Sequence, residues 1–250
     1  MTYEFPGNSW TQAAPEDVGL DPQRLEDARR WMDVHTDDRG YRFLVVRDGY
    51  LVYERYQGIE PEQRVPIASA AKSVYSNVLG IEIAEGTIRS ADAPVREDFP
   101  ELMDVLPGEG PKENRYAFPG NRDITYRQLI SNTSGYMKPG ELPGRVFHYQ
   151  TYGMNILTHA LAKAHNLYDV DDPEGLPGFS QLVEDRLASH LGVDWAYTLT
   201  NFDLHARARI DIFGYYCQIH TRARDLARLG WLWCNWGRWQ DVQVVPEGWM

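Results

Sequence analysis

Two predicted strands near the start of the chain stand in a sequence whose patterns are otherwise mostly helical. Residues 43–46 form a short apolar run of the kind found in strands that are covered on both faces. Asp48-Gly49 is a hairpin-turn signal, and residues 51–53 supply the returning strand. A hairpin of two strands is marginally stable by itself. We therefore expect either that residues 198–216 contribute strand or that further strands are absent from this chain.

Helical periodicity accounts for most of the remaining chain. Asp21 followed by Pro22 marks one helix start, because the first caps the helix and the second fits its first turn. Apolar residues at helical spacing predict further helices over five segments: 69–86, 125–135, 154–161, 179–192 and 221–236. The middle of the chain is thus predicted to be mostly helical.

The composition excludes several classes of function. Thirty-six acidic against 25 basic residues give a net charge of -11, which opposes general nucleic-acid binding. No apolar run approaches the ~18 residues of a membrane span, and the first ten residues lack the pattern of a signal peptide. The two cysteines, Cys217 and Cys234, have no zinc-ligand spacing. We expect a cytoplasmic protein without a metal, a cofactor or a membrane partner; the oligomeric state is left open.

One short motif points to nucleophilic chemistry. Ser69 and Lys72 form an S-x-x-K motif. A chain of 250 residues with nine serines and four lysines would contain roughly 0.14 such motifs by chance. The spacing places both side chains on one face in the first turn of an apolar helix, where the helix dipole favours developing negative charge. An amine beside a hydroxyl can accept its proton, provided that burial or positive neighbours keep the amine largely neutral. The alternative is that Ser69 caps the helix and Lys72 extends into solvent.

The segments around this motif resemble the β-lactamase-related serine hydrolases, a group with class C β-lactamases, D-alanyl-D-alanine carboxypeptidases, esterases and nylon-oligomer hydrolases. Four segments resemble the group in the same order: residues 65–88, 92–102, 124–135 and 221–230. The resemblance implies an α/β (α+β) fold of the β-lactamase/transpeptidase type. In this fold an antiparallel sheet with flanking helices adjoins a helical domain, and the active site lies between them. The resemblance implies that residues 1–85 begin the α/β domain, that residues 86–197 form the helical domain, and that residues 198–250 return to the α/β domain and leave it incomplete. It implies that Ser69 is the nucleophile and Lys72 its partner.

The resemblance also places the second motif of the group at residues 147–153. Tyr149 aligns with the catalytic tyrosine, whose phenol would relay a proton between Ser69, Lys72 and the leaving group. Thr151 stands where the group usually has asparagine, so one substrate-facing amide is replaced by a hydroxyl. Trp236 is a further candidate for substrate binding, although tryptophans at this spacing also serve core packing. The alternative for Tyr149 is an aromatic residue whose hydroxyl merely finds a partner.

The third motif of the group, Lys/His-Thr/Ser-Gly on a strand, is not found before the chain stops at Met250. We therefore expect a C-terminally truncated version of the pattern, in which the missing part holds the remaining strands of the sheet. The function predicted from the resemblance is hydrolysis of ester or amide bonds in small molecules through an acyl-enzyme. The alternative is a non-catalytic member that keeps the fold for ligand binding or scaffolding.

Overall fold

The structure, a computed structural model, describes residues 4–36, 38, 40–200 and 209–250. Its helices are α1 (Pro22–His35), α2 (Ala71–Ala84), α3 (Tyr126–Ile130), α4 (Thr151–Ala164), α5 (Phe179–Val183), α6 (Ser189–Leu191), α7 (Ile210–Phe213) and α8 (Ala223–Cys234). Its strands are β1 (Tyr41–Arg47), β2 (Tyr50–Gln57), β3 (Val65–Pro66), β4 (Ala196–Thr200), β5 (Tyr216–Thr221), β6 (Arg238–Trp239) and β7 (Val242–Gln243). The helices α2 to α6 follow one another without an intervening strand, which agrees with the helical middle that the sequence predicts.

The predicted hairpin is present as β1 and β2, paired in antiparallel register. Asp48 and Gly49 both have positive φ, 54° and 90°, which is the backbone of the tight turn that joins twisted strands. Gly49 is required at its position because an added Cβ would lie 1.9 Å from the carbonyl oxygen of Glu4. The hairpin also packs beside α8, and the Arg42 guanidinium donates to the carbonyl of Thr221 at 2.8 Å.

Of the two alternatives for residues 198–216, the first holds at both ends of the segment, which lie in β4 and β5 of a separate sheet. β5 lies between β3 and β4, and both neighbours are antiparallel to it. Within the described parts of the chain, the ladder of the hairpin consists of β1 and β2, with one isolated bridge from Gln12 to Leu51. Residues 201–208 of the segment lie outside the described residues. The second sheet matters for the site because β3 leads directly into α2.

The helix signals are confirmed with one correction. Asp21 caps α1 by accepting from the backbone N–H of Gln23 at 2.8 Å, and Thr125 forms the predicted capping box with Gln128. The short helix α3 was predicted to run to Gly135 but ends at Ile130. Ser131 directly follows α3. Its hydroxyl donates to the carbonyl of Arg127 at 2.7 Å, and the helix does not continue for another turn.

The core is built around α2 and α4. Both helices are apolar on most of their surface, and nine residues of α2 are buried. Tyr75 on α2 is fully buried and packs edge to face against Phe179 of α5, with ring centroids 5.1 Å apart. Its hydroxyl donates to the carbonyl of Cys217 at 2.5 Å. The helix that begins beside Ser69 is therefore fixed both to the helical layer and to β5.

No helix in the described parts of the chain combines the length and the apolar character that crossing a membrane requires.

Candidate active site

Ser69 lies where strand β3 turns into helix α2. The strand ends at Pro66, and the backbone N–H of Ile67 still donates to the carbonyl of Ile219 on β5 at 3.0 Å. Ala68 then has φ 48°, a left-handed conformation that is strained for a residue with a Cβ. A single 3₁₀ turn over Ala68–Ala70 precedes α2. This sharp turn leaves Ser69 exposed at the positive end of a 14-residue helix.

The amine predicted beside Ser69 is there. Nζ of Lys72 lies 3.1 Å from Oγ of Ser69, within hydrogen-bonding distance. Two aromatic rings also face this amine, with centroids 4.7 Å away for Tyr216 and 5.2 Å away for Tyr149. Aromatic faces attract a cation, so the two rings help to hold this side chain in place.

Tyr149 completes the group. Its ring is half exposed, and the ring centroid lies 5.2 Å from Nζ of Lys72. Burial acts to raise the pKa of the Tyr149 phenol, but interactions with the Ser69 and Lys72 side chains and the positive charge of Lys72 outweigh it. The pKa of Tyr149 therefore lies below the usual value of a tyrosine. A phenol with a lowered pKa, beside a serine hydroxyl, is suited to take the proton of that hydroxyl.

Asn132 holds the chain on both sides of Tyr149. Its backbone carbonyl accepts from the N–H of His148 at 2.8 Å, and its side-chain Oδ1 accepts from the N–H of Gln150 at 3.0 Å. The residue is buried and has φ 57°, a conformation that asparagine tolerates better than most residues. Sequence reasoning singled out the segment at 124–135 by resemblance, but it did not predict this role for Asn132.

We expect Asn132→Gly to loosen this segment without straining the backbone. Glycine keeps the left-handed conformation and the carbonyl, and removes only the side-chain acceptor of the Gln150 N–H. The free energy of unfolding should fall by about 1–2 kcal/mol, the cost of one lost hydrogen bond to a buried group. Urea unfolding measures the change. Asn132→Ala serves as the comparison and should lose about 1 kcal/mol more because its Cβ disfavours this φ; equal losses would contradict this account.

The two predicted substrate-binding residues lie in different places. Thr151 is half-buried and begins α4, two residues after Tyr149. Trp236 follows α8 and is 62% exposed. At that end of α8, the indole of Trp233 donates to Asn77, in the middle of α2, at 2.8 Å. Asn77 is eight residues beyond Ser69, roughly 12 Å along the helix. The role of Trp236 in substrate binding stays a prediction without a supporting contact.

Sequence reasoning missed Tyr216 altogether. It stands alone at the first position of β5, where no spacing or motif connects it with Ser69. Its ring under Lys72 becomes visible only when β5 is placed beside β3. Among the described residues, no three His, Cys, Asp or Glu side chains come together in a way that could hold a metal ion.

The fold and the turn at Ser69 agree with the comparison to known sequences: the chain belongs to the beta-lactamase family, whose sequence model matches residues 28–235. This confirms the family that the sequence resembles and the predicted fold class, helices with antiparallel sheets of the beta-lactamase/transpeptidase type. No curated protein matches the chain closely enough to count as a relative.

Solved structures with the same fold are longer than this chain. A protein from Bacteroides dorei DSM 17855 assigned as a beta-lactamase has 21% identity and a TM-score of 0.66, with 92% of this chain and 68% of that one covered. A protein from Bacillus anthracis assigned as a 6-aminohexanoate-dimer hydrolase has 19% identity and a TM-score of 0.59, with 98% and 66% covered. The octameric penicillin-binding protein homologue from Pyrococcus abyssi has 15% identity and a TM-score of 0.62, with 92% and 59% covered. The chain thus spans roughly two thirds of their length or less.

Proposed function

We propose that this chain is a serine hydrolase that cleaves ester or amide bonds of small molecules through an acyl-enzyme. One observation carries the proposal: at the start of a buried helix, Nζ of Lys72 lies 3.1 Å from Oγ of Ser69, and Tyr149, whose pKa both side chains lower, lies beside them. A structural serine cap needs neither the amine nor the phenol. A nucleophilic serine needs a nearby group that accepts its proton and a charge that stabilises that acceptor.

The proton roles follow from the charges around the three side chains. Tyr149 acts as the general base in the proposed reaction, since its pKa is lowered, and Lys72 acts as the ammonium that lowers it. Oγ of Ser69 bonds to the carbonyl carbon while the Tyr149 phenolate takes the hydroxyl proton. That proton then goes to the leaving alcohol or amine as its bond to the carbonyl carbon breaks, and the acyl group stays on Ser69.

The second half of the reaction repeats the first with water. The Tyr149 phenolate takes a proton from water, the resulting hydroxide oxygen bonds to the acyl carbon, and the ester bond to Ser69 breaks. The proton returns to Oγ of Ser69, which restores the starting state. The backbone N–H of Ser69, at the positive end of α2, is the proposed donor to the oxyanion. The Thr151 hydroxyl, at the start of α4, is the proposed contact to the substrate.

The substrate class is proposed from the open surroundings of Ser69 and from the fold relatives. Ser69 and half of the Tyr149 ring are exposed, so a small acyl compound can reach both without a lid. The Bacillus anthracis relative is named for the 6-aminohexanoate dimer, which is an amide, and the Bacteroides dorei relative for β-lactams. Both are acyl-transfer substrates. Uncharged esters such as p-nitrophenyl acetate and butyrate are the simplest compounds of this class to assay.

Covalent labelling with a fluorophosphonate tests the proposal. We expect one adduct per chain, found by mass spectrometry on the peptide that contains Ser69, because only an activated serine attacks the phosphorus. Ser69→Ala should abolish the adduct. Ser73→Ala is the matched control, since Ser73 is an exposed serine one turn further along the same helix, and it should label like the wild type. A folded wild-type chain that is not labelled would contradict the proposal and favour the non-catalytic alternative.

A further inference from the structure

Tyr216 meets the active group at two points. The first is the face of its ring, which lies 4.7 Å from Nζ of Lys72, closer than the ring of Tyr149. The ring is 1% exposed, so water does not screen this attraction. Because Lys72 bonds to the nucleophile, a residue that fixes Nζ also fixes the partner of Ser69.

The second point is the hydroxyl of Tyr216, which donates to the backbone carbonyl of Ala68 at 2.7 Å. Ala68 is the residue with the strained positive φ immediately before Ser69. A conformation of this kind persists only when its surroundings determine it. The hydrogen bond ties down the peptide that links Ala68 to Ser69, and that peptide carries the Ser69 N–H proposed to bind the oxyanion.

The two tyrosines near Lys72 have opposite protonation tendencies. Burial raises the pKa of Tyr216 to about 12, so its hydroxyl keeps its proton and remains a donor to Ala68. The pKa of Tyr149 is lowered, and its ring is half exposed to the substrate side. Environments that separate two titratable groups in this way assign them different tasks. The proton-transfer task falls to Tyr149 and leaves Tyr216 free to hold its neighbours.

The position of Tyr216 is itself rigid. It begins β5 opposite Thr200 of β4. The next residue, Cys217, accepts the hydrogen bond of Tyr75 from α2, and the rings of Tyr75 and Tyr216 lie 5.7 Å apart. Tyr75 thus connects helix α2 to strand β5 at two places: the backbone next to Tyr216 and the ring of Tyr216 itself. A side chain anchored in this way can impose a position on Lys72 and Ala68.

We propose that Tyr216 is a positioning residue for the reaction: its ring holds the Lys72 ammonium and its hydroxyl holds the Ala68 carbonyl, so that Ser69, Lys72 and Tyr149 are aligned before substrate binds. This inference rests on the proposed function, because it concerns the alignment of the same three side chains. Tyr216 touches neither the substrate nor the reacting atoms in the proposed reaction.

The hydroxyl is tested by Tyr216→Phe, which keeps the ring. We expect the second-order rate of fluorophosphonate labelling at Ser69 to fall about five- to tenfold, the effect of one lost hydrogen bond that fixes the reacting geometry. The pH range of labelling should stay as in the wild type because the ring still faces Lys72. Tyr215→Phe is the matched control. Its hydroxyl donates to Glu174 at 2.9 Å instead, and its labelling rate should equal that of the wild type.

The ring is tested with a residue of the same shape. Placing 3,4,5-trifluorophenylalanine at position 216 keeps the volume of phenylalanine but makes the face of the ring less negative. Lys72 is then held less firmly beside Tyr149 than in Tyr216→Phe. Because the charge of Lys72 helps to keep the pKa of Tyr149 low, we expect the acidic limb of the pH profile of labelling to move to higher pH by about half a unit, the equivalent of a modest cation–π contact.

The outcomes separate this proposal from the proposed function. A folded wild type that fails to label contradicts the function itself. A wild type that labels while Tyr216→Phe labels equally fast overturns the role of the hydroxyl. Identical pH profiles for the phenylalanine and trifluorophenylalanine proteins overturn the role of the ring. A loss of rate that merely follows a loss of folded protein, measured by circular dichroism at the assay temperature, also counts against positioning.

Discussion

Replacing Tyr149 with phenylalanine is expected to lower the rate of ester hydrolysis by about 10²- to 10⁴-fold, the usual contribution of a general base. The substitution removes one oxygen atom and keeps the half-exposed ring, so the fold should be unaffected. Ser69 and Lys72 are 3.1 Å apart in the wild type and should keep this contact in the variant, so the residual rate reports what they achieve without the phenol. Steady-state hydrolysis of p-nitrophenyl acetate gives the comparison.

The assignment of Tyr149 as the base also predicts the direction in which the rate changes with pH. The phenolate form of Tyr149 accepts the proton, so the wild-type rate should rise as the pH rises through the pKa of this residue. That pKa lies below the usual tyrosine value, because interactions with the Ser69 and Lys72 side chains and the Lys72 charge outweigh the effect of burial. The rise should therefore occur below pH ~10, the value for a free tyrosine. Tyr149→Phe should lack this acidic limb.

Tyr197→Phe is the control for loss of a hydroxyl. Tyr197 lies on β4, and its hydroxyl donates to Glu184 at 2.9 Å, away from the proposed group. Its removal should leave the rate and the pH profile as they are. If Tyr149→Phe keeps the acidic limb of the wild type, the limb belongs to another group and the assignment of Tyr149 as the base is wrong.

The residues of this site differ in how well the sequence predicted them. Ser69 and Lys72 are three positions apart, and helical spacing alone brings such side chains together. The structure agrees at 3.1 Å. Tyr149 is 80 residues away from Ser69 in the sequence, and only the resemblance to a family predicted that it would reach them. The rings that face the amine of Lys72 were not predicted, because no pattern in the sequence states which distant residues pack against it.

The sheet pairing shows the same limit for the fold. The turn at Asp48-Gly49 was predicted because the required positive φ is a local property of those two residues. Pairing of β3 with β5 joins residues more than 150 positions apart, and short apolar runs do not specify their partners. The position of Tyr216 beside Lys72 follows from that pairing, which explains why sequence reasoning missed it.

The second large effect concerns stability, at Glu82 on α2. Its carboxylate is completely buried and accepts from Nε2 of His165 at 2.6 Å and from Nε of Arg186 at 2.9 Å. His165 follows α4, and Arg186 lies in the π-helical turn Glu184–Ala188 that joins α5 to α6. A single carboxylate thus connects three helical segments, and its loss would deprive His165 and Arg186 of their shared buried partner.

We expect Glu82→Ala to lower the free energy of unfolding by about 3 kcal/mol, at the lower end of the range for breaking a buried ion pair. The lower end applies because Arg186 keeps a second partner, Glu85, at 2.9 Å, and because Arg186 and His165 are about a quarter exposed. Chemical denaturation measures the change. Glu85→Ala is the matched control: this carboxylate is half exposed, so its removal should cost less than about 1 kcal/mol. If the two substitutions cost the same, the stabilisation comes from the packing of α2 against its neighbours rather than from the buried carboxylate.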